Sequence, residues 1–105
     1  MIVRLWKGRV PTSKAASYQD YVYRTGIQDY RSKKGCLDAK ILTQTEADIT
    51  HIITYTLWED IASIKEFAGD DYQKAKYYPE DKQYLLEFAE HVEHFEVSNL
   101  TAYES

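Results

Sequence analysis

Residues 50–58 read THIITYTLW, the clearest β-strand in this 105-residue sequence. Almost every residue of the run is β-branched or aromatic, which is the composition that strands favour. The stretch from Cys36 to Gln44 also predicts a strand, and an acidic turn at 46–48 separates the two. The middle of the chain is therefore predicted to form a β-hairpin.

Helical patterns lie on both sides of this hairpin. Apolar residues recur at helical spacing before and after it, with polar residues at the positions where helices begin and glycines where they end. A strand stopped by Pro11 precedes the first helix. The predicted flanking elements are a strand over 2–10, a helix from Thr12 or Ser13 to Gly26 or Tyr30, a helix over 59–69, and a helical turn or two over 70–78.

The last third of the sequence fits two structures. Residues 85–95 keep a helical period, whereas 91–97 alternate in the way an edge strand does. A ferredoxin-like split β-α-β arrangement needs a fourth strand, which favours a strand over 91–97 and a short helix ending near Glu90. We therefore predict one α+β domain over 1–105, with a four-stranded antiparallel sheet and the helices on one of its faces.

The composition excludes several classes of function. The net charge of -4 disfavours binding to a phosphate backbone, so we expect no nucleic-acid partner. No long apolar run is present, and we expect no membrane association. A single cysteine, Cys36, can form neither an internal disulfide nor a thiolate pair for zinc, and no neighbouring base marks it as a nucleophile. We expect a cytoplasmic protein.

The alternation along the strands predicts two faces of the sheet. Val3 and Leu5 share one face with Ile53, Tyr55 and Leu57, and we expect this apolar set to meet the helices. The bare face would be large and aromatic, which favours a homodimer built on it. That bare face is expected to carry Arg4, Trp6, Ile52, Thr54, Thr56, Trp58, Val92, His94 and Glu96. The segment 98–105, with Leu100 and Tyr103, is expected to reach onto the partner.

Several short motifs resemble one protein family. They are RLWKG at 4–8, YTLWED at 55–60, FAG at 67–69, DY at 71–72, YYPED at 77–81 and HVEHFEV at 91–97. Together they resemble the antibiotic biosynthesis monooxygenase type of the dimeric α+β barrel superfamily. The resemblance implies a dimeric barrel, but the superfamily contains cofactor-free oxygenases, haem-degrading enzymes, isomerases and members without assigned activity. Such a fold does not define a reaction.

The haem-degrading members of that superfamily use an Asn on the first strand, a Trp at the end of the third strand and a His on the following helix. Trp58 matches the Trp, but the only Asn is Asn99 and residues 60–90 contain no His. We therefore expect no haem, and no flavin or metal cofactor either. His91 and His94 would point to opposite faces of a strand; only on a helix could they share a metal ion.

Two hypotheses about function remain open. The protein is either a cofactor-free monooxygenase acting on an aromatic or polyketide-like compound, or a non-catalytic binding or accessory dimer. In the first, His94 is the catalytic proton acceptor, and Trp6, Tyr55 and Trp58 bind substrate, although Tyr55 has the opposite strand parity from Trp58. The aromatic residues that could line a cavity are Trp6, Tyr18, Tyr21, Tyr23, Tyr55, Trp58, Tyr72, Tyr77 and Tyr78.

Overall fold

A computed structural model describes residues 1–98 of the chain. They form an α+β structure in which helices pack on a four-stranded antiparallel sheet, compatible with a ferredoxin-like fold. The strands are β1 (Ile2–Pro11), β2 (Cys36–Glu46), β3 (Ile49–Trp58) and β4 (Glu93–Glu96), in the sheet order β2-β3-β1-β4. The helices are α1 (Ala15–Val22), α2 (Gln28–Arg31) and α3 (Ile61–Ala68).

The central hairpin is confirmed, with Tyr55 opposite Lys40 in the β2–β3 register. The third helix is confirmed too. Its N-cap is Asp60, whose carboxylate accepts a hydrogen bond from the Ser63 amide at 2.9 Å, and it ends at Gly69, where φ is 86°. An aspartate at the N-cap and a glycine in the left-handed region are standard helix-ending signals, so the local sequence is sufficient to define this element.

The helices predicted over 70–78 and up to Glu90 are wrong. Apart from a single 3-10 turn at Asp81–Gln83, residues 70–92 are irregular. Some of their amides bond to distant carbonyls: Leu86 donates to Arg9 at 2.9 Å, and Val92 donates to Gln73 at 2.8 Å. Because those amides are used between segments, no helical ladder forms. A strand within 91–97 is confirmed, though it spans only Glu93–Glu96.

The helices meet the opposite sheet face from the one predicted. Burial alternates along β3, and the even-numbered residues of β1 and β3 are the buried ones. The Tyr18 ring packs on Trp6 with centroids 6.4 Å apart, and the rings of Tyr30 and Phe67 pack on Trp58. The predicted set, which includes Tyr55, is only half-buried.

The physical reason for this reversal is that the buried face satisfies the hydroxyl of Thr56 within the sheet. The Trp58 indole donates to the Thr56 hydroxyl at 2.8 Å, and that hydroxyl donates to the Arg4 carbonyl at 3.2 Å. Hydrogen-bonded threonines can be buried at little cost, and the buried rings of Trp6 and Trp58 add a large apolar area. Counting apolar residues on each face of the strands therefore favoured the wrong face.

The helical stretch before β2 contains a π-helical turn over Tyr23–Ile27, between α1 and α2. Within it the Thr25 hydroxyl donates to the Tyr21 carbonyl at 2.8 Å. Buried residues before the turn include Tyr18 and Val22, Ile27 is buried at its end, and Tyr30 is buried after it. The turn keeps both groups directed at the sheet. It also widens the helix beside the site described below, and such turns recur at functional sites.

The other face of the sheet has a partly exposed apolar centre, flanked by the ion pairs Lys7–Glu93 and Lys40–Asp38. Half-buried side chains run along its centre, and Leu42 and Phe95 at its two edges are 42% and 47% exposed. The central residues are Val3, Leu5, Ile53, Tyr55 and Leu57. The predicted partner contacts of Leu100 and Tyr103 lie outside the described residues.

Candidate functional site

A pocket lies between the sheet, the first helical stretch and the irregular segment after α3. Including the space at its open mouth, it measures about 370 Å³, and only a small part of that space is enclosed. It therefore accommodates a few waters or part of a small ring, rather than a flat polycyclic compound. Its lining is Arg4, Trp6, Tyr18, Val22, Thr25, Gly26, Tyr30, Thr54, Lys76, Tyr77, Tyr78 and Asp81.

The aromatic walls are fixed by hydrogen bonds. The Trp6 indole donates to the Tyr77 hydroxyl at 3.3 Å, and that hydroxyl donates to the Ala89 carbonyl at 2.6 Å. The Tyr18 hydroxyl donates to Asp81 at 2.9 Å, and the Tyr78 hydroxyl donates to the Asp29 carboxylate at 2.7 Å. Burial, followed by these carboxylates, raises the pKa of Tyr18 and of Tyr78, so both phenols are neutral.

Asp81 is a buried carboxylate whose two oxygens are both occupied. One accepts the Tyr18 hydroxyl and the other accepts the Tyr78 amide at 2.6 Å. Burial raises the pKa of Asp81, against the opposing effect of the two hydrogen bonds. The residue joins the 3-10 turn to α1, and its acceptors are used within the protein.

Arg4 is the most unusual residue of the pocket. It is 2% exposed, its Nη2 donates to the Lys74 carbonyl at 3.3 Å, and its guanidinium carbon lies 5.4 Å from the Phe67 ring centre. Its Nε is buried without a hydrogen-bond partner. Burial lowers the pKa of Arg4, while the neighbouring Tyr30 phenol opposes that shift. A guanidinium stays charged in proteins, so the pocket contains a buried positive charge.

His94 lies opposite Arg4 in the β1–β4 register. Its ring contacts Tyr72 edge-on with centroids 5.1 Å apart, and its Nε2 is buried without a partner. Burial, followed by the charge of Arg4, lowers the pKa of His94 below its ordinary value of 6.5. The imidazole is therefore neutral at pH 7. His94 shares the buried face with the pocket but is not part of its lining.

The sequence-predicted substrate-binding residues are dispersed. Trp6 lines the pocket. Trp58 is 0% exposed and packs in the core beside Phe67. Tyr55 lies on the opposite face of the sheet, where Lys40 sits 5.3 Å from its ring centre. Of the aromatic residues predicted as a possible lining, the pocket uses Trp6, Tyr18, Tyr77 and Tyr78.

Within residues 1–98, no group of three or more His, Cys, Asp or Glu side chains is arranged to hold a metal ion. His91 forms an isolated bridge with Lys74 and is exposed, whereas His94 is half-buried. Burial raises the pKa of the Cys36 thiol, which keeps it protonated and a poor nucleophile.

One property of the helices and two comparisons with known proteins bear on the class of protein. None of the helices described here is both long and apolar enough to cross a membrane. No protein-family model matches the chain, and no curated protein matches it. The resemblance to antibiotic biosynthesis monooxygenases therefore stays a prediction.

Arg4, Tyr30 and Asp81 are among the pocket residues that sequence reasoning missed. The signal for Arg4 was present, because it shares its strand parity with Trp6 and is flanked by apolar residues. Tyr30 was recognised only as a helix end. Asp81 lies in a run of polar residues, and no sequence signal distinguishes it from its exposed neighbours.

Proposed function

We propose that the protein binds a small aromatic molecule in this pocket, as a cytoplasmic homodimer. The observation that carries the proposal is the lining: rings of Trp6, Tyr18 and Tyr78 surround a few polar groups held in place by hydrogen bonds. Mostly apolar walls with a few convergent polar groups are typical of small-molecule sites. The narrow interior admits part of a single ring, and the rest of the ligand would lie in the open mouth.

The test is a titration of the isotope-labelled protein with single-ring aromatics, followed by amide and indole NMR signals. We expect the Trp6 indole and the Gly26 amide to shift, because both residues line the pocket. Trp6→Leu should weaken binding, since it removes one wall, whereas Tyr55→Phe on the other sheet face should not. Shifts confined to the Tyr55 face, or none across the panel, would contradict the proposal.

The homodimer is supported by the partly exposed apolar face that includes Leu5, Tyr55 and Phe95. Contiguous apolar side chains that stay partly exposed on a sheet often mark an interaction surface, and a second copy of the chain would cover them with the same residues. The strand order β2-β3-β1-β4 fits a split β-α-β unit and hence the dimeric α+β barrel that the sequence motifs resemble.

Sedimentation and light scattering test this assembly. Tyr55→Glu would place a charge at the centre of the contact and should give a monomer, because a buried unpaired carboxylate is costly. Leu86→Glu is the matched control, since Leu86 is 49% exposed and lies outside the sheet. A monomeric unaltered protein at micromolar concentration would rule the dimer out.

Cofactor-free oxygenation is a second candidate, favoured by His94. Its imidazole is neutral and its Nε2 has no partner, so it could accept a proton from a phenol. This candidate requires the substrate to reach beyond the pocket lining, because the His94 Nε2 is buried outside it. The resulting phenolate supplies electrons to molecular oxygen, with the substrate as reductant and oxygen as oxidant. Arg4, opposite His94, would stabilise the phenolate charge.

Oxygen uptake with hydroquinone-type substrates tests this candidate. We expect His94→Gln to abolish uptake and His91→Gln, which alters an exposed histidine, to leave it unchanged. Equal rates in the two variants would exclude His94 as the base. Binding without uptake across the panel would favour the non-catalytic alternative.

A further inference from the structure

The polar groups of the pocket are satisfied within the protein, with one exception. Asp81 uses both oxygens, and the hydroxyls of Tyr18, Tyr77 and Tyr78 each donate a hydrogen bond. Within residues 1–98, the buried side-chain polar atoms without a partner belong to Arg4 and His94. Of these two residues, only Arg4 lines the pocket.

The charge of Arg4 is also uncompensated. Within the described part of the chain, no ion pair includes Arg4, and no carboxylate is among the groups that shift its pKa. The second cation of the lining, Lys76, pairs with Asp29 at 3.1 Å. Its Nζ lies 4.4 Å from the centre of the same Phe67 ring that Arg4 approaches, so two positive charges meet at this end of the pocket.

A buried charge without a counter-ion is costly, and functional sites are where proteins retain such groups. We propose that Arg4 binds an anionic oxygen of the aromatic ligand, either a carboxylate or an ionised phenol. The proposal rests on the function proposed above and specifies the chemical class of its ligand. The Nε–H is the free donor, and a guanidinium suits planar oxyanions better than an ammonium does.

The alternative ligand charges fit less well. A cationic ligand would need a free acceptor, and Asp81 and Asp29 already accept two hydrogen bonds or more. A neutral ligand could hydrogen-bond the Nε–H but would leave the charge of Arg4 uncompensated. An anion would both accept a hydrogen bond from the Arg4 Nε–H and compensate the positive charge of Arg4.

The experiment compares benzoate with benzamide, which has the same shape without the charge, by NMR titration read at the Trp6 indole. Because hydrogen bonds to charged groups are strong, we expect benzoate to bind about tenfold or more tightly. Para-nitrophenol, titrated below and above its own ionisation, is the phenolate arm. A preference for its ionised form extends the site to phenolates, and the absence of one restricts the ligand to carboxylates.

Arg4→Gln should remove the preference for benzoate, and Arg4→Lys should restore part of it. Arg9→Gln is the matched control, because Arg9 lies on the same strand with its side chain on the other face. Equal binding of benzoate and benzamide, or a preference that survives Arg4→Gln, would overturn the inference while leaving aromatic binding intact. No shift with any ligand would remove the proposed function itself. If neither Arg4 variant folds, the ligand comparison in the unaltered protein decides.

Discussion

Replacing Arg4 by methionine should make the unliganded protein more stable. The substitution removes a buried guanidinium whose Nε has no partner and puts an unbranched apolar side chain in its place. The desolvation of a buried ion costs several kcal/mol, and replacing buried charges by apolar residues has stabilised other proteins by about 1–4 kcal/mol. Binding of an anion, by contrast, should be lost in the same variant.

Three favourable interactions of the Arg4 guanidinium set the size of the effect. They are the hydrogen bond to the Lys74 carbonyl, long at 3.3 Å, the contact with the Tyr30 phenol, and the approach to the centre of the Phe67 ring at 5.4 Å. Together they contribute roughly 2 kcal/mol, less than the desolvation cost. We expect a net gain of about 1–2 kcal/mol, which raises Tm by about 4 °C per kcal/mol for a chain of this length.

Thermal and urea unfolding, with and without benzoate, are the assays. The unaltered protein should gain stability on adding benzoate, because the ligand binds only the folded state, and Arg4→Met should not. Arg9→Met on the exposed face should change stability by less than about 0.5 kcal/mol. If Arg4→Met instead destabilises the protein by about 1 kcal/mol or more, Arg4 is satisfied by the fold, and the reasoning that assigns it to a ligand is refuted.

Three further predictions concern the residues around the pocket. Asp81→Ala should cost about 2–4 kcal/mol in urea unfolding, because it leaves the Tyr18 hydroxyl and the Tyr78 amide without an acceptor. Asp81→Asn keeps one acceptor and should cost less. Equal losses in the two variants would contradict the assigned hydrogen bonds. Gly8→Ala should cost about 1–3 kcal/mol and shift the Trp6 indole NMR signal, because its Cβ would meet the Trp6 ring and lie 2.9 Å from Leu85. Unchanged stability together with an unchanged signal would contradict this close contact. The unfolded chain protonates His94 at its ordinary pKa of 6.5, whereas the folded chain protonates it only at lower pH. The contribution of neutral His94 to the free energy of unfolding is therefore complete above pH 6.5 and is lost as the pH falls below it. Stability measured across that range should be flatter in His94→Gln, and identical profiles would refute the lowered pKa.

The local sequence was sufficient to predict the elements whose composition and capping residues lie within the element itself. The strand at 49–58 and the helix capped by Asp60 are of this kind, because β-branched composition and capping residues act over a few positions. The helix predicted to end near Glu90 was wrong because the Leu86 and Val92 amides bond to remote carbonyls, and sequence periodicity carries no record of such partners.

The candidate site was less predictable than the fold, for a physical reason. Trp6 and its neighbour Arg4 were correctly placed on one face, but which face the helices cover depends on how Thr56 and the other buried hydroxyls are satisfied. That is a tertiary property. Likewise, Asp81 becomes special only when Tyr18, remote in sequence, donates to it.

The π-helical turn at Tyr23–Ile27 has a consequence for how the chain tolerates changes in length. Such a turn holds one residue more than regular α-helix between the same two ends, so Val22 and Gln28 keep the phase of a helix that is one residue shorter. Deleting the exposed Arg24 would convert the turn to α-helix and leave Tyr18 and Tyr30 in step. Deleting a residue inside α1 would instead rotate its apolar side by about 100° away from the sheet. The π-helical turn is therefore a position, next to the pocket, where the helix can lose one residue without turning its buried side away from the sheet.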